Sequence, residues 1–290
     1  MNWRTGQRTV VVSAILIAVS LVVASCTLPA PAQRTWKIKA DSLEVIDQED
    51  WDPGDEPYVI QLGFRSKLGV PNSAQSWVNS QCNNFSGMPV TDTATPGSTH
   101  YFPPGAADIT FPQVQNLDIG DILLETANLE IFGTFTFVME RDTLLGTCAW
   151  TETINNVMPG LLVDSLNLLI GQQPIPPTEQ QLVDLIVNQI DNFLAAAIGA
   201  LAIQLEGVLG GADDLLGLVA QIHLPMAGTL ASLVDLGLNL AGLSNGVLDV
   251  PELGENVKVR VGNLLPSLTT FTLAGTPSYE VKYSSRIASG

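Results

Sequence analysis

Lysine and arginine are absent from Asp142 to Val257, a stretch of 116 residues that contains thirteen aspartates and glutamates. The whole chain has 12 lysines and arginines against 29 acids, which gives a formal net charge of −17. A chain this acidic is repelled by phosphate backbones, so nucleic acid is excluded as a partner. The missing cations also argue against salt bridges of the coiled-coil type and against docking onto anionic lipid.

Histidine is almost as scarce, because His100 and His223 are the only two in the chain. A zinc site needs more nitrogen or sulfur ligands than these can supply. The segment Gly242–Gly246 matches the G-x-S-x-G string of a nucleophile elbow, but that elbow needs a preceding strand and a later histidine, and no histidine follows His223. We therefore interpret the segment as a helix terminator. The sequence predicts no catalytic residues and a protein that is not an enzyme.

The N-terminus has the features of an export signal. Arg4 and Arg8 precede an apolar run from Val10 to Ala24, which has the length of a signal-peptide core and is short for a spanning helix. The run ends in Val-Ala-Ser-Cys26, which resembles the bacterial lipobox, where the cysteine becomes lipid-modified. The alternative is ordinary cleavage after Ala30-Pro-Ala32. The first interpretation predicts a lipid anchor on the outer face of the cell membrane, the second a secreted protein.

Only two cysteines, Cys82 and Cys148, remain besides Cys26. Disulfides persist outside the cell, so export predicts a bridge between them. Closing a loop of this size contributes about 4 kcal/mol in the chain-entropy view. Two buried free thiols are the alternative.

Period-two alternation of apolar and polar residues, typical of strands, is found on both sides of the cation-free stretch. The clearest example runs from Leu129 to Met139, where the apolar residues at odd positions share a face. The other predicted strands are Trp36–Ala40, Leu43–Ile46, Tyr58–Arg65, Ile109–Phe111, Val257–Val261, Ser267–Leu273 and Ser278–Tyr283.

The cation-free stretch itself shows helical spacing. Met158–Ile170 predicts a first helix, and Thr178 with Gln181 predicts a capping box for a second helix with an apolar stripe from Leu182 to Val208. We predict a further helix from Asp213 or Asp214, divided at Pro225. Residues 215–234 contain no charge, but polar residues lie among them and no cation anchors their ends, so packing is favoured over membrane insertion.

These patterns predict an α+β fold, an antiparallel β-sandwich with a helical insertion before the last strands. The organisation would be a signal over 1–25, a tether over 27–35, a β-sandwich from 36–152 and 256–286, and the insertion over 153–250.

Three segments resemble a C2-type β-sandwich. Leu43-Glu-Val45 is followed by an acidic loop and Asp55-Glu-Pro-Tyr-Val59, which is similar to the family's opening. Phe137–Asp142 with Leu145-Gly146 is similar to its strand that ends in Asp-x-Asp, and Tyr279–Tyr283 to its closing strand. The chain also looks like exported actinobacterial proteins of uncharacterised family. The C2 resemblance implies a calcium-dependent module that binds lipid or glycan.

The acidic loop is the one candidate metal site. Calcium takes six to eight oxygen ligands, several of them carboxylates. The loop offers carboxylates at Asp47, Asp50, Asp52, Asp55 and Glu56, and the C2 resemblance adds Glu140 and Asp142. Arg141 lies between the last two and departs from the C2 pattern. The alternative to a calcium site is a solvated loop with no cofactor.

These features favour an exported, lipid-anchored cell-envelope protein with a non-catalytic binding or structural role. Its partners would be the membrane, through the lipid on Cys26, and an envelope protein, lipid or glycan. One alternative is the calcium-dependent C2-like module. Another is a membrane-active or self-assembling protein that acts through the apolar helical block.

Overall fold

A computed structural model describes residues 32–48, 57–79, 95–102, 104–105, 107–141, 149–206, 213–244, 246–250, 255–275 and 277–288. The strands are β1 (Gln33–Asp47), β2 (Pro57–Lys67), β3 (Gln75–Asn79), β4 (Thr99–Tyr101), β5 (Asp108–Gln115), β6 (Glu130–Arg141), β7 (Asp213–Leu224), β8 (Val247–Val250), β9 (Glu255–Asn263), β10 (Ser267–Leu273) and β11 (Ser278–Ile287). The helices are α1 (Ile119–Leu123), α2 (Ala149–Leu166), α3 (Glu179–Glu206) and α4 (Gly228–Leu240), and a π-helical turn, Asn167–Gly171, follows α2.

A five-stranded antiparallel sheet is built around β1. Its order is β10-β11-β1, and β4 and β5 both pair with the remaining edge of β1. The two strands predicted at Trp36–Ala40 and Leu43–Ile46 are one long strand, interrupted by a register shift between Ala40 and Ser42. The shift explains the break in alternation at Asp41 and Ser42, because a bulge moves later side chains to the other face.

The second sheet has six strands in the order β3-β2-β6-β7-β9-β8. All neighbours are antiparallel except β7 and β9, which run parallel. This parallel pair departs from the wholly antiparallel sandwich that the sequence predicted. The predicted α+β class, with antiparallel strands around a helical segment, is confirmed.

Both faces of the six-stranded sheet are covered. Along β2, Tyr58, Ile60, Leu62 and Phe64 join a core with the helices, whereas Val59 joins a core with the five-stranded sheet. The predicted shared face of Leu129–Met139 is confirmed, because its apolar odd-numbered residues all lie in the helix-side core. The molecule therefore has three layers: the five-stranded sheet, the six-stranded sheet and a helical layer.

The helices α2 and α3 connect β6 to β7, which are neighbours in the sheet. The stripe of α3 is buried at Leu182, Ile186, Ile190, Phe193 and Ala197, as the spacing predicted. At the start of α3 the Gln181 N–H donates to the Thr178 hydroxyl, which is half of the predicted capping box. Residues Glu179–Ala200 of α3 could cross a membrane by length and composition alone, but the stripe packs on the sheet.

The prediction of a helix that begins at Asp213 or Asp214 is wrong, because Asp213–Leu224 is the strand β7. Its residues 215–224 are buried. A strand covered on both faces shows a continuous apolar run instead of alternation, and such a run resembles a buried helix. Pro225 does mark the end of the element, and α4 follows it.

The G-x-S-x-G segment terminates α4, as interpreted from the sequence. Gly242 has a φ of +72°, its N–H donates to the Asn239 carbonyl, and the Leu243 N–H donates to the Leu238 carbonyl. This pair of hydrogen bonds is a Schellman motif, in which glycine adopts the left-handed conformation. The chain then returns through β8 to β9.

Candidate functional site

The predicted calcium ligands are mostly outside the described residues: Asp50, Asp52, Asp55, Glu56 and Asp142. Asp47 is described, at the end of β1, where its Oδ1 accepts the Gln48 N–H. Glu140 is described as a position in β6. Within the described part of the chain no group of three or more His, Cys, Asp or Glu side chains could hold a metal ion.

The strand register does bring acidic segments to one end of the six-stranded sheet. Pro57, the residue after Glu56, pairs with Glu140 on β6. Glu140 in turn pairs with Asp214 on β7. The start of β2, the end of β6 and the start of β7 therefore meet at this end of the sheet, and in sequence each of them contains or directly follows an acid.

All three cysteines, Cys26, Cys82 and Cys148, lie outside the described residues, so the Cys82–Cys148 bridge stays a prediction. Their sequence neighbours are relevant to it. Cys82 follows β3 by three residues, Cys148 directly precedes α2, and β3 and α2 are in contact. The fold thus brings together the elements next to the two cysteines.

The outer face of the five-stranded sheet bears a groove of about 730 Å³. Its wall includes Tyr101 and Leu268, whose exposed fractions of 73% and 83% are high for large apolar side chains. Ser284 lies in the groove and is buried, and its hydroxyl has no hydrogen-bond partner among the described residues. Lys282 and Arg286 add positive charge to the groove.

The charges are segregated between the layers. The strands β1 and β11 carry five of the twelve cations, Arg34, Lys37, Lys39, Lys282 and Arg286, whereas α2, α3 and α4 carry none. At one end of the five-stranded sheet Lys37 pairs in register with Arg286. The helical layer, on the other side of the six-stranded sheet, therefore carries acids and no cations.

A second, smaller pocket of about 200 Å³ lies beside the carboxyl ends of the parallel strands β7 and β9. We call it the Arg260 pocket and define it by six polar lining residues: His223, Asp235, Asn239, Ser244, Arg260 and Asn263. Sequence reasoning did not group these residues, because they come from β7, α4, the turn after α4 and β9. The parallel pairing of β7 with β9 and the packing of α4 against β9 make them neighbours.

His223 is the most enclosed titratable group of the Arg260 pocket. It falls within the helix predicted from Asp213 or Asp214, but it lies in the strand β7. It is 5% exposed and packs against the Phe132 ring. Its Nε2 has no hydrogen-bond partner among the described residues. Burial, with a smaller contribution from the nearby Arg260 charge, lowers the pKa of His223 to about 3. The imidazole is therefore neutral at neutral pH.

This pKa predicts an acid-dependent loss of stability. Below pH 6.5 the unfolded chain binds a proton at His223 that the folded chain does not, so the free energy of unfolding falls as pH decreases from 6.5 toward 3. The slope for one such group approaches about 1.4 kcal/mol per pH unit. Urea unfolding at several pH values should show a shallower decline for His223→Gln than for the wild type. His100→Gln is the control, because His100 is less enclosed and its pKa is lowered less; an unchanged slope in His223→Gln would contradict the assignment.

Ser244, His223 and Asp235 line the same pocket, but they do not form a catalytic triad. No hydrogen bond joins any two of these three described residues, and the Asp235 Oδ1 accepts the Asn263 N–H at 3.1 Å. Ser244 follows a helix terminator, not a strand. The pocket thus lacks the oriented base that would activate a serine hydroxyl.

No protein-family model, no curated protein and no solved structure matches this chain.

Proposed function

We propose that this chain is an exported cell-envelope protein, anchored by lipid on Cys26, with a non-catalytic binding role. The observation that carries the proposal is the short distance in sequence between the lipobox-like cysteine and the folded part. The strand β1 begins at Gln33, seven residues after Cys26. A tether of this length reaches at most about 25 Å. The start of β1 would then stay close to the membrane surface.

The charge distribution supports one orientation at the membrane. Arg34 lies at the start of β1, and Arg286 lies near the end of β11 opposite Lys37, whose own charge is paired with Asp108; neither arginine forms an ion pair with a described residue. Cations close to a bilayer are attracted to anionic headgroups, each by about 1 kcal/mol. The cation-free helical layer is repelled by the same headgroups. The anchored protein would therefore present its helical layer away from the membrane.

The mature N-terminus tests this proposal. Mass spectrometry of the protein from the native or a related host should find an N-terminal Cys26 that carries lipid, and the protein should fractionate with membranes. In Cys26→Ser the lipid should be lost and the protein should leave the membrane fraction. Cys82→Ser serves as the control for a cysteine outside the lipobox and should stay lipid-modified. A mature chain that begins at Gln33 in the medium would refute the anchor.

A calcium-dependent C2-like module is the second candidate, favoured by the convergence of acidic segments at the β2, β6 and β7 end of the sheet. Calcium should then raise the Tm of residues 33–290 relative to chelator, since a ligand present at 100 times its Kd stabilises the folded state by about 2.7 kcal/mol. The double variant Asp52→Asn, Asp55→Asn should lose this increase. Calcium should also drive flotation with liposomes. An equal Tm in calcium and in chelator would eliminate this candidate.

A further inference from the structure

We propose that the Arg260 pocket binds a small carboxylate that also carries an amine or hydroxyl group. The inference does not depend on the membrane anchor or on calcium. It begins from Arg260 itself, which is partly buried on β9 and makes no hydrogen bond or ion pair with any residue that the structure describes. This partial burial desolvates the guanidinium charge and lowers the pKa of Arg260.

Several described cations lack an ion pair, but Arg34, Lys67 and Arg286 are exposed to solvent, whereas Arg260 is partly buried at a pocket. The chain has 29 acids to 12 cations, so carboxylates are abundant. Four other cations, Lys37, Lys39, Arg65 and Lys282, each form an ion pair. A desolvated guanidinium without a partner is destabilising. Its position at a pocket indicates that an external anion supplies the missing interaction, and guanidinium groups bind carboxylates in a bidentate manner.

The pocket is held open by backbone geometry. Gly262 pairs with His223 across the parallel strands, so no side chain from that position covers the imidazole. The Asn263 N–H donates to the Asp235 Oδ1, and the Met226 N–H donates to the Asn263 Oδ1, both at 3.1 Å. The partner strand β8 pairs with β9 only from Glu255 to Lys258 and leaves Arg260 beyond it. The pocket is therefore preformed beside the carboxyl ends of two parallel strands, where ligands bind in open α/β units.

The second chemical requirement comes from Asp235 and His223. Asp235 lines the pocket as a carboxylate but makes no ion pair with Arg260 within 4.0 Å. The His223 Nε2 is buried and has no partner among the described residues. A suitable ligand would carry a carboxylate that neutralises the Arg260 charge and an N–H or O–H group that donates a hydrogen bond to Asp235. The volume of about 200 Å³ limits the ligand to a small metabolite.

Three probes of matched size distinguish the two donor groups: glycine carries an amine, glycolate a hydroxyl, and acetate neither. NMR titration of residues 33–290 should show saturable shifts of the Gly262 amide and the His223 ring with glycine or glycolate, with a Kd in about the millimolar range. Acetate should bind at least about tenfold more weakly, because it lacks the donor. No saturable shift with glycine and glycolate would overturn the proposal.

Variants of the lining residues test whether these side chains bind the probes. Arg260→Gln should weaken the binding of every probe at least about tenfold. Arg260→Lys should weaken binding less, because lysine keeps the positive charge but cannot donate two parallel hydrogen bonds to a carboxylate. Asp235→Asn retains an oxygen acceptor for the Asn263 N–H. It should weaken the binding of glycine more than that of glycolate, because the charged amine of glycine loses the carboxylate. Lys67→Gln is the control, since Lys67 is exposed at the end of β2, lines neither pocket and should leave every Kd unchanged. Equal binding in wild type and in the two Arg260 variants would also overturn the proposal.

Discussion

Replacing Gly133 with alanine is expected to destabilise the protein by at least about 3 kcal/mol. Gly133 lies in β6, between β2 and β7. An added Cβ would stand 2.0 Å from the Gln221 carbonyl oxygen and 2.8 Å from the Phe64 Cζ. The first of these atoms belongs to the backbone of a neighbouring strand, so it cannot move without breaking the β6–β7 pairing.

Urea unfolding followed by circular dichroism measures the loss, together with the soluble yield. Gly199→Ala is the matched control, because Gly199 lies on the exposed side of α3 and its added Cβ would meet nothing within 4 Å. In a helix this change should stabilise the protein by about 0.5–1 kcal/mol. If Gly133→Ala unfolds at the same urea concentration as the wild type, the backbone of β7 does not lie as close to Gly133 as described.

Replacing Phe193 with alanine is expected to remove about 3–5 kcal/mol from the free energy of unfolding. Phe193 is fully buried on α3, and its ring lies 5.2 Å from the Phe64 ring and 6.2 Å from the Phe135 ring between centroids. The three rings join the middle of α3 to β2 and β6. Truncation would leave a cavity that the rigid sheet cannot fill.

This variant separates a packed helical layer from one that leaves the sheet to enter a membrane. Leu240→Ala on the exposed side of α4 is the control and should change stability by less than about 0.5 kcal/mol. Thermal and urea unfolding of the two variants give the comparison. A loss below about 1 kcal/mol for Phe193→Ala would mean that α3 is weakly held, and would favour the membrane-active alternative.

The sequence predicted the strands in which apolar residues alternate with polar or small ones. In the outer sheet the polar residues face solvent, whereas in β2 and β6 they are buried at Gln61, Thr134 and Thr136 and still preserve the alternation. The predicted segments in β2, β5, β6, β9, β10 and β11 are confirmed, and so is the apolar stripe of α3. The prediction failed at β7, where both faces are buried and alternation disappears. Without β7 as a strand, the parallel pairing with β9 could not be predicted either.

The Arg260 pocket was hidden for the same reason. Val257, Val259 and Val261 alternate with Lys258 and Arg260, so the sequence suggested a strand with one solvated face. The parallel neighbour places His223 opposite Gly262 and turns part of that face into a pocket. A local pattern contains no information on which strand will lie alongside.

The pairing of β1 with β11 determines the order in which the chain can fold. The first strand of the five-stranded sheet pairs with β11, which follows ten other strands, with Trp36 opposite Ile287. Contacts between residues this far apart in sequence form slowly, because a long loop must close first. During synthesis β1 therefore has no β11 to pair with until residue 287 has been made, so this sheet closes late. A chain in this state can still pass through a membrane pore, so the topology that delays folding also keeps the proposed export possible.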